Sequence, residues 1–251
     1  MRRHLAPALA GRPERSQRSL EISWMQVTTE DGRFDAFIER PAGGNGPAVV
    51  VVQEIFGINE DLRATCREFA AQGFVAISPD LFWRSAPRIE MNRLDGEEMQ
   101  RAFALYQSFD FDRGVRDIAA VVRAARDMTP GHRKVGVTGF CMGGLMAFLA
   151  AVRTDVDAAV SYYGGRTEEF VNEAKGVRKP VLVHLAGSDE YMPGEAQAEI
   201  RTVLEHQPGF EVHVYPGCSH AFARHKGEHY DKAAAELANR RTYAFLAKNL
   251  A

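Results

Sequence analysis

The stretch "KVGVTGFCMGGLMAFLAA", residues 134–151, runs an apolar strand-like segment into an apolar helix-like one through Gly139, Cys141, Gly143 and Gly144. A side chain on so tight a strand-to-helix turn is pushed out of the sheet, and its neighbours must lack Cβ atoms to avoid collision. The spacing is that of the nucleophile elbow G-x-S-x-G, with sulfur in place of oxygen. A small buried thiol beside a glycine-rich helix start would produce the same string, because free cysteine is among the most buried residue types. The rest of the chain decides between the two.

Outward from this stretch, strand-like and helix-like segments alternate. "FDAFIER" (34–40) alternates in the strand manner, and "PAVVVVQ" (47–53) is a β-branched run suited to a buried central strand. "NEDLRATCREFAAQG" predicts a helix with Asn59 as N-cap, Glu60 and Asp61 in its first turn, and Gly73 as its stop. "FVAISP" (74–79) is the next strand, followed by helical sequence to about Met128. Beyond the opening stretch, "VDAAVSYYG", "KPVLVHLAG" and "FEVHVYPG" read as strands, and "EAQAEIRTVLEHQ" and "DKAAAELANRRTYAFLAKNL" as helices. Strands regularly separated by helices imply an α/β fold, a mostly parallel central sheet with helices on both faces. Residues 21–251 carry no linker, repeat or composition break, so they are expected to form one domain.

Composition narrows the function. Of 251 residues, 45% are hydrophobic and 25% charged, and the formal net charge of −2 shows no basic footprint for nucleic acid. No apolar run reaches the roughly 18–20 residues a membrane helix needs. Three scattered cysteines, Cys66, Cys141 and Cys218, suit neither a disulfide framework nor a CxxC metal site, so a reducing, cytoplasmic setting is expected. "MRRHLAPALAGRPERSQRSL" is arginine-rich and has no acidic residue before Glu14. Residues 1–20 therefore read as a disordered extension, a targeting segment or an over-long start.

In an open parallel sheet, active groups sit at the carboxyl ends of strands. Those ends read "VVQEIFG", "ISPDLFWR", "VTGFCMGG", "SYYGG", "HLAGSDEYMP" and "YPGCSHAF". They carry Cys141, Asp189 and His220, the chain order nucleophile, acid, histidine of the α/β-hydrolase arrangement. An Asp after a strand is commonly a turn residue, and a lone His commonly has no catalytic part. The ordered set of three on strand-end loops points to catalysis.

The chain resembles the dienelactone hydrolase family (carboxymethylenebutenolidase-like) through "QEIFGIN" (53–59), "PDLFWR" (79–84), "GFCMGG" (139–144), "SYYGG" (161–165), "GSDEYMP" (187–193) and "SHAFAR" (219–224), in family order over about residues 26–248. The resemblance implies that Cys141 attacks a lactone or ester carbonyl, that His220 handles the proton and that Asp189 fixes the imidazole. It also implies an oxyanion hole from the Ile55 and Met142 amides, and a Glu54 that engages the resting nucleophile and moves when substrate arrives. Arg84 and Arg224 fall at positions that would grip a substrate carboxylate. Trp83, Tyr163, Phe82 and Phe56 are candidates for the apolar lining of the pocket, with core packing as the alternative for each. Ala221 stands where the family pattern has a serine, and residues 84–99 follow the pattern loosely.

The expected activity is cysteine-dependent hydrolysis of a carboxylate-bearing lactone or ester through a thioester, with a small-molecule substrate, no metal and no cofactor, in a monomer. The alternatives are a promiscuous carboxylesterase for neutral esters, and a non-catalytic ligand-binding or thiol redox-sensing protein with Cys218 as resolving partner of Cys141.

Overall fold

The computed structural model describes residues 23–93 and 95–251. The extension expected over residues 1–20 lies outside the described residues. One eight-stranded sheet organises the chain, in the order β1-β2-β4-β3-β5-β6-β7-β8. The strands are β1 (Ser23–Thr29), β2 (Gly32–Glu39), β3 (Ala48–Val52), β4 (Val75–Pro79), β5 (Val135–Phe140), β6 (Ala158–Tyr162), β7 (Val181–Ala186) and β8 (Phe210–Tyr215). From β4 across to β8 all neighbours are parallel, and the β1–β2 hairpin attaches antiparallel at the β4 edge.

The helices are α1 (Glu60–Ala71), α2 (Gly96–Gln107), α3 (Phe111–Met128), α4 (Met142–Arg153), α5 (Thr167–Phe170), α6 (Gly194–Leu204) and α7 (Lys232–Leu250). Side-chain alternation along each strand feeds two cores. Val50 and Val52 of β3 join the core under α3 and α4, whereas Val49 and Val51 join the one under α1 and α7. Both faces are apolar, so the strand sequence is continuously β-branched. The Asn59 side chain accepts from the Leu62 amide at 3.0 Å, which starts α1 where the N-cap signal placed it.

Two elements differ from the sequence expectation. β1, "SWMQVTT", is a strand that carries little apolar alternation, because it lies at the sheet edge with one fully buried residue, Val27. The four-residue α5 is too short for a helical period to show.

Strand order reverses around β3. The chain passes from β3 through α1 to β4 on one side, then returns to β5 on the other. Val52 pairs with Gly139 across that junction, so the loop that begins at Gln53 lies beside the turn at Cys141. This is the switch point where open α/β sheets hold their ligands.

Candidate active site

Cys141 occupies the junction of β5 and α4 with φ 56° and ψ −118°, a backbone conformation that L-residues rarely adopt. The glycines around it are required by close approach. A Cβ on Gly139 would lie 2.0 Å from the Gly143 carbonyl oxygen, and one on Gly143 would lie 2.4 Å from that of Val52. The elbow is held by the Cys141 amide, which donates to the Tyr162 carbonyl at 3.1 Å, and by Gly144 and Leu145, whose amides donate back to the Cys141 carbonyl. The next amide, that of Met142, has no acceptor among the described residues, and neither does that of Ile55 in the turn after β3. Both residues line the same cavity as Cys141.

His220 and Asp189 reach the site from the loops after β8 and β7. Nδ1 of His220 lies 2.9 Å from Asp189 Oδ2 and 3.1 Å from Oδ1, and the pair is buried. The His220 amide donates to Glu190 Oε2 at 3.2 Å, and the edges of Tyr163 and Tyr191 close on the imidazole, with centroids 5.1 and 4.9 Å away. Among the described residues Nε2 makes no hydrogen bond of ordinary geometry, yet the Cys141 sulfur is near enough to act on the ring. Burial opposes the charged imidazole; the charge on Cys141 and the Asp189 carboxylate overcome it and push His220 up to about 11.

Glu54 follows β3 into the site and is 8% exposed. Its Oε2 accepts from Arg224 Nη1 at 3.3 Å, and its Oε1 is buried with no partner among the described residues. The Arg224 guanidinium lies over the Phe56 ring, 5.3 Å from the centroid. Cys141, His220, Glu54 and Arg224 thus converge on one cavity of about 390 Å³. Its apolar lining includes Phe56, Met142 and three residues of α2, Met99, Phe103 and Tyr106. That volume falls within the roughly 300–1,000 Å³ of ordinary small-molecule pockets.

Four residues expected at the pocket are elsewhere. Arg84 grips Asp117 of α3 through Nη1 at 2.5 Å and Nη2 at 3.1 Å, and Asp31 through Nη2 at 2.6 Å. Asp117 is wholly buried, and a buried carboxylate needs a paired cation, so Arg84 is committed there. Trp83 stacks on Phe34 and donates its indole N–H to the same carboxylate at 3.0 Å. Tyr163 is fully buried behind His220, against Phe222, and does not line the cavity. Phe82 is buried in the core, whereas Phe56 does line the cavity.

The sequence reading did not single out Arg166, Tyr191 or the α2 face, all of which line the cavity. For α2 a signal existed: Met99, Phe103 and Tyr106 fall at i, i+4 and i+7, one helix face. Arg166 sits at φ 69° and is held by Glu169 at 2.8 Å; nothing in the local string marks it.

A mostly parallel eight-stranded sheet, with elbow, acid and histidine on the loops after β5, β7 and β8, defines an α/β-hydrolase. The dienelactone hydrolase family model matches residues 34–250. A protein of Azospirillum brasilense provisionally named carboxymethylenebutenolidase is 43% identical over 88% of this chain and 96% of its own length. The carboxymethylenebutenolidase of Pseudomonas putida is 37% identical over 89% of this chain and 95% of its own length. A Klebsiella pneumoniae crystal structure provisionally described as a dienelactone hydrolase superposes with a TM-score of 0.80 at 28% identity, covering 90% of this chain and 98% of its own. The chain belongs to the dienelactone hydrolase family, and it is a carboxylic ester hydrolase. Among the described residues no helix is long and apolar enough to cross a membrane, and no His, Cys, Asp and Glu cluster could hold a metal ion.

Proposed function

We propose that the protein hydrolyses a carboxylate-bearing lactone or ester, with Cys141 as nucleophile and a thioester as intermediate. One observation carries this reading: a cysteine, a histidine anchored by a carboxylate, and an arginine paired with a glutamate all open into one cavity. A substrate carboxylate takes the Arg224 guanidinium in place of Glu54, through charge-assisted hydrogen bonds. The Cys141 sulfur, as thiolate, attacks the carbonyl carbon, and the carbonyl oxygen gains negative charge opposite the Ile55 and Met142 amides. Collapse breaks the C–O bond, and the leaving oxygen takes the proton from His220 Nε2.

Acylation also prepares the second half. The sulfur charge that holds the proton on His220 is gone once the thioester forms, so the neutral ring can accept a proton from water. Hydroxide attack on the thioester then releases the acid and restores thiolate and imidazolium. Asp189 keeps Nδ1 protonated and the ring oriented throughout.

A second reading, a broader carboxylesterase acting on neutral esters, is favoured by a specific observation. Arg84 is committed to Asp117, and much of the cavity wall is apolar. Known proteins of this fold include a dienelactone hydrolase-like promiscuous phosphotriesterase, at TM-score 0.71 and 20% identity over 91% of this chain and 98% of its own, a likeness of fold alone. The redox-sensor reading finds less support, because Cys218 is buried and burial pushes its thiol up, away from the reactive thiolate.

The two hydrolase readings separate in one comparison. Arg224→Ala should lower kcat/KM for an acidic lactone about ten- to a hundredfold more than for its methyl ester, in line with about 1.5–3 kcal/mol per charge-assisted bond. Equal losses on both substrates would favour the neutral-ester reading.

A further inference from the structure

Behind the Glu54–Arg224 pair lies a second, very small polar void of about 10 Å³, lined by Glu54, Asp61, Tyr163 and Arg224 among others. Four buried polar atoms on these residues make no hydrogen bond among the described residues: Glu54 Oε1, Asp61 Oδ1, Tyr163 Oη and Arg224 Nε. Two are acceptors and two are donors. A space that admits about one water molecule gives little screening, so charges around it act on one another strongly. Arg224 therefore shares this space with two carboxylates, and the charges of both Glu54 and Asp61 act on it. Glu54 sits on the loop after β3, whereas Asp61 is fixed in the first turn of α1, whose Asn59 cap is closed.

We infer that Asp61 is a positioning residue that competes with the substrate carboxylate for Arg224 and so sets how strongly the pocket prefers anions. Glu54 can leave Arg224 when an anion arrives, but Asp61 cannot. An ionised Asp61 thus keeps a negative potential behind the guanidinium, and a neutral one removes it. Burial first, and the Glu54 charge second, push the Asp61 carboxyl up to about 6, while His225 and Arg224 act in the opposite sense. The other ionisable groups around it are Glu68, which meets His225 Nε2 at 3.3 Å, together with Glu60, Tyr163 and Lys226. The anion preference should accordingly be higher below about pH 6 than above it. This inference rests on the anionic-substrate reading.

Its test does not need turnover. The rate of Cys141 alkylation by iodoacetate, an anion, is divided by that with neutral iodoacetamide of the same shape, with the modified cysteine identified by peptide mass. The ratio cancels the intrinsic reactivity of the sulfur. In the wild type it should fall at least about threefold as pH rises from 5 to 7.5, and in Asp61→Asn it should stay high and flat. A His225→Gln variant should keep the wild-type fall. A wild-type ratio without a break near pH 6 would overturn the inference with no variant needed, as would a break that persists in Asp61→Asn or disappears in His225→Gln. Failure of the substrate reading would appear separately, as normal alkylation ratios in a protein that does not discriminate acid from methyl ester in turnover.

Discussion

Both carboxylate oxygens of Asp189 face Nδ1 of His220, at 2.9 and 3.1 Å, and the opposite ring nitrogen is left for the Cys141 side. The pair is buried, so water does not substitute for the carboxylate. Asp189→Asn keeps the shape and loses the charge that stabilises imidazolium. It should lower kcat about 10²- to 10⁴-fold with little change in KM. Alkylation of Cys141 by iodoacetamide near neutral pH should slow in the same variant, which separates a charge effect on the pair from a loss of substrate binding.

Acylation and deacylation should respond differently to acid. His220 is pushed up to about 11 before acylation, by the Cys141 charge and the Asp189 carboxylate against burial. After acylation the sulfur charge is lost, and the ring must be neutral to activate water. With p-nitrophenyl acetate, the pre-steady-state burst should become more pronounced from about pH 8 down to about pH 6, as deacylation slows more than acylation. Parallel slowing of both phases would show that His220 does not change its proton affinity between the two steps.

Arg84 offers a contrast with Arg224. Removing it leaves Asp117 buried with only the Trp83 indole N–H, and breaking a buried pair costs about 3–5 kcal/mol. Arg84→Ala should therefore lower Tm and leave the ratio of kcat/KM for acid over methyl ester unchanged. A change in that ratio with unchanged Tm would return Arg84 to the pocket.

These two arginines show what was legible in the string and what was not. Both stood on strand-end loops in the expected order, and the apolar strands, the Asn59 cap and the ordered Cys141, Asp189 and His220 followed from local rules of sterics and topology. Where the Arg84 side chain goes depends on Asp117, on a helix more than thirty positions away, and no local pattern reports that this carboxylate is fully buried. Tyr163 lies next to the strand-end glycines, as predicted, but a single step in register and φ 38° send its ring behind His220. The α2 face was legible in principle, since its period is helical; the assignment of that face to the cavity required the third dimension.

The face of the sheet under α7 carries a polar cluster with a stability signature of its own. His184 is fully buried, with Nδ1 2.9 Å from Tyr215 Oη and Nε2 3.0 Å from Thr242 Oγ1. Burial, aided by His213 and Arg241, holds it well below the usual histidine range, so the native ring is neutral. On unfolding it takes up a proton below about pH 6.5, so the unfolded state binds more protons and stability falls as pH drops below that value. His184→Gln removes this linkage. The stability gap between wild type and variant, from urea melts, should narrow by up to about 1.4 kcal/mol per pH unit below 6.5. A gap independent of pH would mean that the imidazole stays accessible to protons in the native state.

The central claim is that the sulfur of Cys141 carries the acyl group. Wild-type protein quenched in acid during turnover of p-nitrophenyl acetate should show one acetyl group by intact mass, mapped to the Cys141 peptide. Cys141→Ala should show none and should retain a vanishing fraction of kcat, and the double variant with His220→Ala should be little worse, because the two groups act as a unit. Near-wild-type kcat in Cys141→Ala, or an acetyl group mapped to another residue during productive turnover, would contradict the account.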